Sequence, residues 1–116
     1  MKRLTLKDLP DGGTPATLAA IGAGWGPVQA GGISRYDDAG HRTHGEARHV
    51  HTVPEIFCIV QGGGTVEIDG DPAGRFAAGD LLIIEPGEDH HLISDGAEPL
   101  VFTWMHLSAR DQSATR

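Results

Sequence analysis

The sequence holds a single cysteine, Cys58, so no disulfide can form within the chain and a reducing compartment is its natural setting. Basic residues are scarce as well: 9 Lys and Arg stand against 16 Asp and Glu, for a formal net charge of -7. Such a surface repels phosphate backbones. Its few cations are scattered along the chain, which excludes nucleic acid as a partner. No apolar run approaches the roughly 20 residues a membrane helix needs. The opening stretch, residues 1–8, lacks the apolar core of a signal peptide. The expectation is a soluble, cytoplasmic protein with no membrane partner.

Helix-period patterns are also missing, and glycine takes their place at 17 of 116 residues. The glycines separate short apolar runs, as in a turn-rich all-β fold. The length suits one domain. We divide it into an N-terminal strand and small-residue arm (1–24, with one helical turn over 14–21), a barrel (25–107) and a frayed polar tail (108–116). The pattern predicts strands over 25–36, 48–52, 55–61, 64–69, 74–77, 81–85, 90–94 and 100–107, with a polar loop at 37–47. Asp69-Gly70, Gly79-Asp80 and Asp95-Gly96 mark turns, because these residues tolerate positive φ. Eight or nine short strands joined by tight turns predict a double-sheet jelly roll or barrel.

The chemistry concentrates in His49-Val50-His51-Thr52-Val53-Pro54-Glu55. Residues two apart on a strand share a face, roughly 6.6 Å apart, so His49 and His51 can face one interior, and Glu55 keeps that parity. Pro54 has no amide donor and marks a bend that returns the carboxylate towards the imidazoles. A glycine turn, the apolar run Leu81-Leu82-Ile83-Ile84 and the Pro86-Gly87 turn then deliver His90 from a distant segment. Three nitrogens and one oxygen suit one divalent transition metal per chain: Fe, Mn, Ni, Zn or Cu.

The run His-x-His-x3-Glu-x6-Gly, ending at Gly62, resembles the first motif of the cupins. The run from Gly79 through Pro86-Gly87 to His90 resembles the second. The resemblance covers residues 25–107 and implies an all-β double-stranded β-helix with a metal centre of His49, His51, Glu55 and His90. Three positions depart from the family pattern: Thr43 where a glycine is usual, Glu85 for a proline and Ser94 for an asparagine.

Other residues take supporting roles. Phe57 and Ile59 share the parity of Glu55, and with Leu92, Phe102 and Trp104 they are expected to line an apolar cavity. His106 shares a face with Phe102 and Trp104, so it is read either as a cavity acid or base or as a satisfied core histidine. His91 points away from His90 and is read as a surface or interface histidine. His41 and His44 are read as solvated loop residues, in a loop able to close over a barrel mouth. Cys58 is a small hydrophobe on the opposite face. Leu81–Ile84 is apolar on both faces, so another layer should cover the outer one: a sheet, the N-terminal arm or a second subunit. With sheet edges to protect, the chain is expected to form a homodimer.

Four protein ligands on a six-coordinate metal leave two adjacent positions, which favours a small molecule bound through two oxygens. The function expected is a metal-dependent enzyme, a dioxygenase or isomerase, acting on a small oxygenated metabolite. The alternative is a non-catalytic small-molecule-binding or storage module.

Overall fold

The computed structural model describes residues 1–9 and 28–108. A short strand β1 (Lys2–Leu4) and a 3-10 turn (Leu6–Asp8) come first. They are followed by β2 (Val28–Tyr36), β3 (Glu55–Gln61), β4 (Gly63–Ile68), β5 (Asp71–Ala77), β6 (Leu81–Ile84), β7 (His90–Ser94) and β8 (Leu100–Leu107). All pairings are antiparallel. They build a five-stranded sheet in the order β1-β6-β3-β8-β2 and a three-stranded sheet in the order β5-β4-β7. The helical turn expected over 14–21, residues 25–27 of the strand expected over 25–36, and the tail beyond 108 lie outside the described residues.

Alternation along the strands decides what each sheet buries. Phe57, Ile59, Leu82, Ile84, Leu100 and Phe102 of the larger sheet meet Val66, Phe76 and Leu92 of the smaller one in a single core. The residues between them face the other way. Ile56, Ile83 and Leu107 form a second cluster, with Leu4, Cys58, Leu81 and Met105 packed against it. The β6 run is thus apolar on both faces because both are buried, and Cys58 lies on the face opposite Glu55, as its parity requires. Two facing antiparallel sheets with this alternation form a double-stranded β-helix.

Turns and one close approach fix the register. Asp69 and Gly70 both take positive φ, 53° and 86°, in the hairpin between β4 and β5. Gly64 pairs with Ser94, and a Cβ there would meet the Ile93 carbonyl oxygen at 1.9 Å. Only glycine lets β4 and β7 come that close.

One expected strand is absent. Residues 48–52 are irregular. Their carbonyls accept from the neighbouring turn, Gly87 N–H to His51 O at 2.9 Å and His90 N–H to His49 O at 3.2 Å. The His49 N–H donates instead to Asp89 Oδ1 at 2.7 Å. An antiparallel ladder needs N–H and C=O exchanged in both directions, and here a side chain takes one of the donors.

Candidate metal centre

The topology brings distant residues to one end of the core. Glu55 opens β3 directly after Pro54 and pairs across the sheet with His106 of β8. His90 opens β7, and His49 and His51 are held beside it by the backbone bonds to Gly87 and His90. One donor atom each from His49, His51, Glu55 and His90 lies within 4.8 Å of the others. The imidazoles of His49 and His51 meet edge-on with ring centroids 4.5 Å apart, and that of His90 lies 4.9 Å from His49 and 5.3 Å from His51.

Glu55 is buried, and its two oxygens have different partners. Oε1 is 2.7 Å from His90 Nε2, and Oε2 accepts from His106 Nε2 at 2.9 Å. The Nδ1–H of His90 donates to the Glu88 carbonyl at 3.0 Å, which turns Nε2 towards the cluster. With Nδ1 committed, the bond from Nε2 to Glu55 requires a proton. Burial disfavours the His90 imidazolium, but its bonds to Glu55 and Glu88 outweigh that, and its pKa is raised. Burial likewise opposes the Glu55 carboxylate, but His90 and His106 hold its pKa below the ordinary value. His49 is pushed down to about 4 by burial and by the neighbouring His44, His90 and His51. His51 is lowered chiefly by burial.

His51 supplies the test of fit. Its Nε2 is buried and has no hydrogen-bond partner, with Glu55 Oε1 3.3 Å away. A buried imidazole nitrogen kept neutral and unpartnered costs stability unless something binds it. Together with the other three donors, it fits a divalent transition ion.

Beside the cluster opens a cavity of about 320 Å³, lined by the cluster residues except His90, by Ser34, Tyr36, Thr43 and His44, and by Phe57, Phe102, Trp104 and His106. Phe57 and Phe102 pack edge to face at 5.3 Å. Ile59 and Leu92, also expected on the wall, lie deeper: both are buried in the core among other apolar side chains and do not reach the cavity.

The cupin domain family matches residues 38–106, well over half of the chain. The chain belongs to the cupin family. Among solved structures, a cupin protein from Bacteroides fragilis is 27% identical, with a TM-score of 0.60 over 70% of this chain and 66% of that one. A Cupin 2 conserved barrel domain protein from Salinispora arenicola is 25% identical, with a TM-score of 0.58 over 74% and 70%. A predicted oxalate decarboxylase from Thermotoga maritima, at 21% identity, shares the fold with a TM-score of 0.57 over 77% and 71%. The chain thus spans about two-thirds of the length of its solved relatives. No curated protein sequence matches it.

The positions where this cupin departs from its family's motifs have tasks of their own. Thr43 is buried; its hydroxyl accepts from Leu92 N–H at 3.0 Å, and its carbonyl accepts from His91 Nδ1 at 2.7 Å. His91 is therefore a buried structural histidine and not a surface one. It points away from the centre, as expected, but the loop covers it, with Asp89 Oδ1 3.3 Å from its other nitrogen. Glu85 uses the N–H a proline would lack, donating to Glu88 Oε1 at 2.8 Å. The Ser94 hydroxyl donates to the Asp38 carbonyl at 2.6 Å. An ion pair between Arg42 and Glu67 ties the same loop to β4.

His44 is exposed, in keeping with its reading as a solvated loop residue, and His41 is half-buried, yet both also stack on rings of the barrel. His44, at φ 60°, stacks on His49 with centroids 3.4 Å apart and lines the cavity. His41 stacks on Tyr36 at 3.9 Å. Ser34 and Tyr36 were legible as period-two neighbours on β2. His44 was not, because its place depends on a left-handed backbone conformation in a loop.

Proposed function

We propose that this cupin holds one divalent transition metal through His49, His51, Glu55 and His90. We further propose that it acts as an enzyme, a dioxygenase or an isomerase, on a small oxygenated metabolite bound in the cavity. The observation carrying the proposal is the unpartnered, buried Nε2 of His51 among three other donors beside the cavity. A bound ion would supply Lewis acidity and, if it is iron, a site for oxygen.

The chain's own residues do the rest. Phe57, Phe102 and Trp104 keep water from the reacting molecule. His106 reaches the cavity while its Nε2–H holds Glu55 Oε2, so it can steer the carboxylate and exchange a proton with a bound molecule. The cupin is also proposed to be a homodimer: among the described residues β2 is an edge strand, exposed along most of its length and carrying Val28 and Ile33.

Metal content of the isolated protein and of the four alanine variants tests the centre. One ion per chain is expected in the parent, and full occupancy in His51→Ala and His90→Ala would sink it. Oxygen uptake by the Fe(II)-loaded protein identifies a dioxygenase, and rearranged substrate carbons without uptake identify an isomerase. Neither outcome across a broad panel leaves a small-molecule-binding module. Light scattering at micromolar concentration reads the dimer.

A further inference from the structure

The cavity states which molecules it can take. Among the described residues, no Lys or Arg lines it. Four of the arginines are engaged elsewhere: Arg3 with Asp80 at 3.2 Å, Arg35 with Asp37 at 2.8 Å, Arg75 with Asp95 at 2.9 Å, and Arg42 with Glu67. Phosphate and carboxylate groups are normally met by such cations, and burying an anion without one is costly. Away from the four donors the wall is aromatic at Phe57, Phe102 and Trp104, and its polar groups are Ser34, Tyr36, Thr43 and two histidines, His44 and His106.

The indole of Trp104 has a built seat. It lies over Gly32 of the neighbouring strand, where a Cβ would meet three of its ring atoms at 3.0 Å. At about 320 Å³ the cavity stands near the lower end of ligand pockets, which span about 300–1,000 Å³. That is room for a single ring but not for a nucleotide.

We infer that this cupin selects small oxygen chelators whose remainder is uncharged and apolar, a single aromatic ring or a branched hydrocarbon, and rejects phosphorylated and dicarboxylic ones. The inference rests on the metal centre proposed above for the chelating end of the molecule, and on the aromatic wall for the other. Trp104 and Phe102 determine the selection, Trp104 through the space that Gly32 leaves open.

The test uses one head and several tails. Phenylpyruvate, 2-oxoglutarate and 3-phosphohydroxypyruvate share an α-keto acid head and differ in carrying a phenyl, a carboxylate or a phosphate group. Calorimetric titration of the metal-loaded protein should give at least roughly tenfold tighter binding for phenylpyruvate than for either of the others. Trp104→Leu and Gly32→Ala should each shrink that ratio while metal content and melting temperature stay near the parent values. Should Trp104→Leu fail to fold, Gly32→Ala reads the same wall.

Equal affinities, a preference for the charged tails, or no binding of any of the three would overturn the inference. Metal content is measured on the same samples. Protein without metal that still prefers phenylpyruvate refutes the centre and retains the cavity reading. Loaded protein without the preference does the reverse.

Discussion

Metal binding should displace fewer protons than three ordinary histidines would release. At pH 6, three imidazoles with an unperturbed pKa of about 6.5 carry about 2.3 protons in total, all lost when their nitrogens bind metal. In this cupin His49 is pushed down to about 4 and carries about 0.01. His51 is lowered too, so it carries less than about 0.76. His90 is raised by its bond to Glu55, so it carries between about 0.76 and one. Glu55 is already ionised and releases none. The expected release is therefore between about 0.8 and 1.8 protons, most of it from His90. Calorimetric titration with Co(II) at pH 6, in three buffers of different ionisation enthalpy, reads this number as the slope of observed enthalpy against buffer enthalpy. A slope of 2.3 or above, or one near zero, would refute the proton inventory drawn from the Glu55–His90 pair.

The same pair sets how the metal-free protein responds to pH. The folded pKa of His90 is raised, so the stability it contributes is fully present below about 6.5 and is lost as pH rises through the raised value. Melting of the metal-free protein between pH 6 and 9 should show this loss, and the metal-loaded protein should not. His106→Gln keeps a donor for Glu55 Oε2 but no titratable base, so metal content should survive while turnover falls at least about a hundredfold. Loss of metal in that variant would make His106 structural instead. Gly64→Ala drives a methyl against the Ile93 carbonyl, and a melting temperature lower by at least about 10 °C is expected by thermal denaturation. A smaller fall would mean that β4 and β7 yield more easily than their pairing suggests.

How much was legible in the sequence depended on whether the signal was local. Strand alternation is a period-two property of the backbone. The parity of Glu55 with Phe57 and Ile59, the two-faced burial of β6 and the hairpin at Asp69-Gly70 could therefore be read directly. The four clustered donors could be read because their order and spacing resemble the two cupin motifs, the second ending in a distant, turn-framed histidine. Parity failed where the backbone leaves the strand. Over 48–52 the histidines converge through bonds to the turn at 87–90 and through Asp89, and not through a ladder. The sequence also left open what covers a residue. His91 is buried because Thr43 folds onto it, and His44 reaches the cavity because a loop residue adopts positive φ. Ile59 and Leu92 share a face with the cavity wall but sit a layer below it. Alternation says which side of a sheet a side chain takes. Depth along that side, and the lack of any lining cation among the described residues, follow only once the two sheets and the loop are packed together.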